Sequence, residues 1–254
     1  HFSELTDSKL REPAETLREI FRCNRDKPAD LEHAFALVRE AAFRKLGEKP
    51  FPVQVTGALA LEKGYIAEMA TGEGKTLTST MYVTVAGWRG QGCHVITVND
   101  YLAKRDAEWM GQIYRFCGLS VAYIEQQTLP AQRKVAYMAD ITYCTNKEVT
   151  ADFLRDRLTL GKINGLSSTL LAKISGDNSK ITDRLIQRRL NCAIVDEADS
   201  VLIDESVTPL IISGNAPNPQ QVDSFQKASE IAGQLVPEID YKIDHRYRDI
   251  ELTE

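Results

Sequence analysis

Nowhere does the 254-residue sequence approach the roughly 20 uncharged apolar residues that a membrane-spanning helix needs, and its N-terminal stretch carries acidic residues where a signal peptide would have an apolar core. This predicts a soluble chain with no export signal; it begins at His1 rather than at a methionine, so its ends are treated as arbitrary. Cysteine is sparse. Cys23, Cys93, Cys117, Cys144 and Cys192 include no pair close in sequence, which predicts reduced thiols of a cytosolic protein rather than a disulfide framework. His1, His33, His94 and His245 stand too far apart to suggest a zinc site, and His94, inside the apolar run CHVITV, reads as a packed strand residue. A basic excess is missing too. The formal net charge is -5, whereas nucleic-acid-binding domains usually carry positive charge to neutralise phosphates, which argues against DNA or RNA as a partner. The local exception is the cluster Lys180, Arg184, Arg188 and Arg189. Internal repeats and low-complexity segments are absent as well.

With hydrophobic residues at 43% and charged residues at 26%, the composition is that of an ordinary globular protein, large enough for one α/β domain or one domain plus an extension. From Leu10 to about Gly47 the apolar spacing predicts amphipathic helices broken near Pro28. Short apolar runs follow: Tyr65–Met69, Cys93–Val98, Leu119–Ile124, Ile141–Cys144 and Leu190–Val195 read as buried parallel strands. Between them Thr76–Trp88, Asp100–Cys117, Pro130–Met138 and Asn146–Leu158 read as helices. This alternation predicts βαβ crossovers and a mostly parallel sheet, with ligands at the carboxyl ends of the strands. Gly161–Asp183 reads as an excursion from the sheet. After Gly214 a linker leads to a helix, Val222–Leu235, and a hairpin of Tyr241–Asp244 and Asp249–Leu252. The expected organisation is a helical segment over 1–50, a nucleotide-binding domain over 51–214 and the stem of a further domain over 215–254.

The strongest chemical signal is Thr71-Gly72-Glu73-Gly74-Lys75-Thr76, between an expected strand and an expected helix. Gly72 and Gly74 let backbone N–H groups turn toward an anion, and the next helix points its positive end at the same place. Lys75 is then expected to reach the β- and γ-phosphates and Thr76 to ligate magnesium. The strict phosphate-loop pattern has glycine where Met69 stands, so this is a variant of the kind found in superfamily 2 helicases. A solvent-facing Gly-rich turn is the competing interpretation. The second signal is Asp196-Glu197-Ala198-Asp199, directly after the apolar run Cys192–Val195. Asp196 is expected to hold the magnesium and Glu197 to activate the water that attacks the γ-phosphate. Acidic helix starts are common, so the string gains meaning only beside the loop at Thr71–Thr76. Third, Phe51-Pro52-Val53-Gln54 lies about twenty residues upstream of the loop. In motors of the DEAD-box kind a glutamine in this region reads adenine through its donor and acceptor, with Phe51 able to pack on the ring; taken alone, plain packing is the better account of the pair.

Taken in order, AEMATGEGKTL, TVNDYLAKRDAE, ITYCTNKEVTADFLRDR and AIVDEADSVLIDESVTPLIISG resemble SecA, the ATPase that drives protein export, from about Phe2 to Glu254. General helicases share the phosphate loop and the acid pair but lack NDYLAKRD and the LIDES and TPLIISG segments. The resemblance implies a RecA-like P-loop NTPase domain, with ATP and magnesium bound by Phe51, Gln54, Thr71, Gly72, Glu73, Gly74, Lys75, Thr76 and Asp196, and with Glu197 and Lys75 catalytic. Asn99-Asp100 through Arg105-Asp106, and Thr145-Asn146, would be coupling motifs, although Asp100 and Asn146 also make good helix caps. Three departures stand out: Pro52 where the family has aspartate, Ala198 where it has valine, and the longer excursion at Gly161–Asp183.

The same resemblance implies a preprotein substrate, a membrane channel of the SecYEG type, an anionic lipid surface and a homodimer of the full-length protein as partners. It also implies a cytoplasmic protein peripheral at the inner membrane. Segment Tyr241–Leu252 resembles the start of the inserted preprotein-crosslinking domain, and weak activity is expected of this part without a second motor domain. A nucleic-acid helicase fragment is the competing function, and a non-catalytic interaction module is disfavoured because Lys75, Thr76, Asp196 and Glu197 are all present.

Overall fold

The computed structural model describes residues 2–160, 185–187, 190–211, 219–237, 239–244 and 249–253. The expected excursion at Gly161–Asp183, the basic cluster Lys180, Arg184, Arg188 and Arg189, and His1 and His245 lie outside the described residues. Two compact units are distinguished, His1–Ile212 and Ser213–Glu254.

The first unit opens with α1, Asp7–Arg22, capped by Thr6, whose side chain accepts the Lys9 N–H. Leu10, Ala14, Leu17 and Phe21 recur on one face and are all buried, which is the amphipathic pattern read from sequence. After the break, α2 (Pro28–Leu46) starts with Pro28 in its first turn, where the missing N–H costs nothing, and ends at Gly47 in the left-handed conformation. A helix not anticipated from sequence follows, α3 (Pro52–Glu62). Its end is a Schellman motif in which Tyr65 N–H donates to Ala60 O at 2.9 Å and Gly64 N–H to Leu61 O at 3.0 Å.

Next come α4 (Lys75–Trp88), β1 (Cys93–Thr97), α5 (Asp100–Phe116), β2 (Val121–Tyr123), α6 (Pro130–Tyr137), β3 (Ile141–Thr145), α7 (Asn146–Leu160) and β4 (Cys192–Val195). All four strands are parallel, in the order β2-β3-β1-β4. Four of the five expected strands are therefore present, with ends of β1, β2 and β4 trimmed by one to two residues and β3 extended by one, to Thr145. Tyr65–Met69 forms no strand. Its first N–H is committed to the α3 cap, Tyr65 and Ile66 are 66% and 92% exposed, and among the described residues no strand pairs with the run.

Alternation along the strands feeds two layers. Cys93, Val95, Ile141 and Tyr143 join the large core with α1, α2, α4 and α5. Met81, Val83, Val85 and Trp88 of α4 are fully buried there, Trp88 stacks on Phe21 at 5.9 Å, and its indole donates to Cys117 O at 2.9 Å. On the opposite face Ile124, Ala136, Tyr137 and Cys144 form a smaller cluster, and His94 is buried against the Tyr137 ring at 5.7 Å.

A buried polar network holds that second face. Arg133, 4% exposed, pairs with Asp152 at 3.0 Å and with Glu148, and donates to the carbonyls of Glu125, Gln126 and Thr128. Tyr137 donates to Asp152 at 3.0 Å. Asp156 receives the N–H groups of Ile186 and Gln187, both at 2.8 Å, and so fixes the chain as it returns toward β4. In the second unit, α8 (Pro219–Ala232) precedes an antiparallel hairpin of β5 (Tyr241–Asp244) and β6 (Asp249–Leu252). Among the described residues, no helix is long and apolar enough to cross a membrane.

Candidate active site

The helix half of the phosphate-loop context forms and the strand half does not. Gly72 and Gly74 adopt φ of +87° and +81°, which side chains rarely tolerate. At Gly74 a second constraint applies, since an added Cβ would run into Gln54 Nε2. Gly74 is also the N-cap of α4, and the first bond of that helix runs from Thr78 N–H to Gly74 O at 3.0 Å. The N–H groups of Gly74, Lys75, Thr76 and Leu77 therefore have no partner within the helix and lie at its positive end. Thr71, Gly72 and Glu73 are exposed, whereas Lys75 and Thr76 are half-buried.

Gln54, 7% exposed, holds the loop from behind. Its Oε1 accepts the Phe51 N–H at 2.8 Å, closing the first turn of α3, and its Nε2 donates to Glu73 O at 2.7 Å. One N–H and one lone pair of the amide remain for a ligand. The Phe51 ring is 68% exposed beside it. Proline at the first helical position followed by glutamine at the third was the sequence signal for this tie, but its partner Glu73 could not be read from spacing.

The acid pair sits where β4 ends. Asp196 N–H donates to Ile96 O at 2.9 Å, extending the β1–β4 ladder by one residue. Glu197 then turns sharply with φ of +52°, donating its N–H to Asp196 Oδ1 at 3.0 Å and accepting from Val201 N–H at 3.0 Å. Asp196 is half-buried and Glu197 exposed.

Loop and acids occupy the same edge of the sheet. The Tyr82 hydroxyl lies 3.8 Å from Cys192 Sγ, so the middle of α4 is level with the start of β4. The short turn from Trp88 to Cys93 makes α4 antiparallel to β1. Lys75 is then about 10 Å from that level and Asp196 about 13 Å, both toward the carboxyl ends, from rises of about 1.5 and 3.3 Å per residue.

Neighbouring motifs converge on this edge. Asn99 caps α5 by accepting Leu102 N–H at 2.9 Å, and Thr145 accepts Glu148 N–H at 3.4 Å. These correct the expected caps: Asp100 instead accepts the Gln126 N–H at 2.7 Å, bracing the loop after β2, and Asn146 accepts its neighbour Lys147 N–H at 2.9 Å. Asp106 is 2% exposed and pairs with Arg105 at 2.7 Å. Burial raises its pKa, opposed by Arg105, and the Asp196 charge adds to the rise, so a third carboxyl stands behind the acid pair.

A magnesium nucleotide fits the donors present. Thr76 and Asp196 offer hard oxygen atoms at one edge, and magnesium retains most of its water, needing only one or two protein ligands. No group of three or more His, Cys, Asp or Glu side chains suited to a metal occurs among the described residues, so an all-protein metal cage is not what this edge provides.

The family model described as the SecA DEAD-like domain matches residues 1–251. Protein translocase subunit SECA1, chloroplastic, of Arabidopsis thaliana is 44% identical over 99% of this chain and 22% of its own length. Protein translocase subunit SecA of Synechocystis sp. is 47% identical over 88% of this chain and 22% of its own length. The same subunit of Desulforamulus reducens is 43% identical over 99% and 26%. This chain thus spans about a quarter of the length of the curated relatives it matches. With a glycine-bent loop opening α4, an acid pair at the end of β4 and a match along nearly its whole length, the chain belongs to the SecA DEAD-like domain family.

Proposed function

We propose that this chain is the ATP-binding, ATP-hydrolysing part of a SecA-type preprotein translocase motor. One observation carries the reading: the N–H-rich start of α4 and the Asp196-Glu197 turn lie at the same carboxyl edge of one parallel sheet. In this reading Thr71–Thr76 cradle the triphosphate, with Lys75 on the β- and γ-phosphates. Gln54, with Phe51 beside it, faces the adenine end through its remaining donor and acceptor. Thr76 and Asp196 would hold magnesium, which supplies neutralisation of phosphate charge. Glu197 takes a proton from the attacking water; the water oxygen bonds to the γ-phosphorus, the bond to the β–γ bridging oxygen breaks, and ADP and phosphate leave.

Residues 51–214 would form the nucleotide-binding domain behind the helical segment 1–50, and 215–254 the stem of the preprotein-crosslinking domain. The arginine that stabilises transferring phosphoryl charge would come from a second motor half, a contribution worth about 10³–10⁵ in rate. This chain by itself is therefore expected to bind magnesium nucleotide weakly and to turn over slowly. The whole motor would work on unfolded preproteins at a channel of the SecYEG type, peripheral at the cytoplasmic side of the inner membrane, with anionic lipid and a second copy as further partners.

Titration with a fluorescent adenine nucleotide, alongside phosphate release, tests the assignment. Lys75→Ala should lose binding, and Glu197→Gln should bind as the unmodified chain does while hydrolysis stops. Equal loss of binding in Glu197→Gln would remove Glu197 from the water-activating role. RNA-stimulated, salt-sensitive turnover would replace the translocase reading with the helicase one.

A further inference from the structure

Parallel pairing brings together two cysteines that the ATPase chemistry does not use. Cys93 on β1 stands directly opposite Cys192 on β4. Neighbouring strands lie about 4.7–4.9 Å apart, inside the 4.4–6.8 Å range of Cα separations that disulfides span. The two Sγ atoms are 3.9 Å apart, across 99 positions of sequence, on the face covered by α4. The Tyr82 hydroxyl approaches Cys192 Sγ from the same side at 3.8 Å. Exposure divides the pair: Cys93 is 1% exposed, whereas Cys192 is half-buried on the outermost strand among the described residues.

We propose that Cys93 and Cys192 are a reversible dithiol–disulfide pair, oxidised by peroxide, with Cys192 as the attacking sulfur and Cys93 as the resolving one. The division of labour follows from the hydrogen bonding. The Cys93 S–H donates to Cys192 sulfur, and this bond, helped by Tyr82 and Arg89 and opposed by burial, brings the Cys192 pKa down to about 6, while Cys93 is pushed up. The Cys192 thiolate attacks one peroxide oxygen; the O–O bond breaks, a sulfenic acid forms, and hydroxide leaves to be protonated to water. Cys93 sulfur then attacks the sulfenic sulfur. The S–O bond breaks, and the departing hydroxide takes the Cys93 proton as a second water. Two thiols are oxidised, one peroxide is reduced, and two waters result.

No other cysteine competes from within the described chain. Cys144 belongs to the cluster on the opposite face of the sheet, Cys117 is buried at the end of α5, and Cys23 lies exposed just after α1. The disulfide would close a loop of roughly 100 residues containing β2, β3 and α5–α7, for which the loop-entropy model and the usual enthalpy scaling give a melting temperature raised by about 10 °C.

The test uses the whole chain, treated with a small excess of hydrogen peroxide and analysed without reduction. Expected are a mass lower by two hydrogens, three remaining free thiols, and a proteolytic map in which the Cys93 peptide is joined to the Cys192 peptide. Dithiothreitol should restore the mass and the original melting temperature. Cys192→Ser should abolish the cross-link; because the map is made on the unmodified sequence, a folding defect in that variant does not decide the matter. Cys192 accumulating as sulfinic acid beside a free Cys93, five unreacted thiols, or a cross-link through Cys23 would each overturn the proposal. Nucleotide binding plays no part in the readout, so this inference and the ATPase reading fail independently.

Discussion

Glu197 combines an exposed carboxylate with a left-handed backbone, φ +52°, that an L-residue adopts at a cost of about 1–2 kcal/mol. Glycine carries no such penalty. Replacing Glu197 with Gly should therefore relieve about 1–2 kcal/mol, offset by about 0.4–1 kcal/mol for the added freedom of the unfolded chain. The net gain is about 0.5–1 kcal/mol, or a melting temperature higher by about 1–4 °C for a unit of this size. Backbone bonds from Glu197 N–H to Asp196 and from Val201 N–H to Glu197 O survive the change, and an exposed side chain gives up little packing. The proper comparison is Glu197→Ala, which loses the same carboxylate and keeps the strain, so charge effects cancel between the two variants. Both should be inactive in phosphate release, and only the glycine variant should melt above the parent. Thermal unfolding of the three proteins under one condition decides it. If Glu197→Gly melts no higher than Glu197→Ala, the backbone at this turn is not strained, and the idea that stability is given up to aim the carboxylate is wrong.

Gly74→Ala should weaken nucleotide binding more than Gly72→Ala, because both require a left-handed backbone but only the first displaces Gln54; equal losses in a fluorescent-nucleotide titration would mean the Gln54–Glu73 tie does not shape the loop. Asp152→Ala, which takes one of two carboxylates from the buried Arg133 guanidinium and the acceptor from Tyr137, should destabilise by about 1.5–3 kcal/mol in urea unfolding, and a loss below about 0.5 kcal/mol, the size of a neutral surface change, would show the network is dispensable. Iodoacetamide labelling of Cys192, followed from pH 5 to 9, should track its thiolate and reach half its maximal rate near pH 6. The sign is fixed: a depressed thiol pKa gives more thiolate at lower pH, so a midpoint near the ordinary 8.5 would remove the role assigned to the Cys93 hydrogen bond.

What could be read from sequence was local. The central strands β1 and β3 declared themselves as apolar runs because they are buried on both faces, the outer strands β2 and β4 are apolar runs that are only half-buried, and Pro28 and Gly47 marked helix ends by their own backbone limits. Tyr65–Met69 has the composition of a strand, yet pairing is a property of two segments, and among the described residues nothing pairs with it. At the starts of α5 and α7 two adjacent residues could each cap the helix. Asn99 and Thr145 precede the first helical turn and can reach its N–H groups, whereas Asp100 and Asn146 already stand inside it. The sulfur pair was invisible for the same reason as the missing strand: 99 residues separate its members, and only the parallel register puts them side by side.

This contrast bears on how the candidate site is built. Gly72, Gly74 and the Glu197 turn are local devices, each written in one to three residues whose backbone conformation aims N–H groups and carboxylates. Their mutual distance is set by other means. The β1–β4 ladder fixes Asp196 through Ile96, α4 fixes Lys75 through its buried face against the sheet, and Gln54 links the loop to α3. Changes at the first set should alter chemistry while the fold persists. Changes at the second should alter spacing, so that in a titration affinity falls before the folded state is lost, since the carboxyl edge carries exposed or half-buried groups whereas the α4 face below it is fully packed.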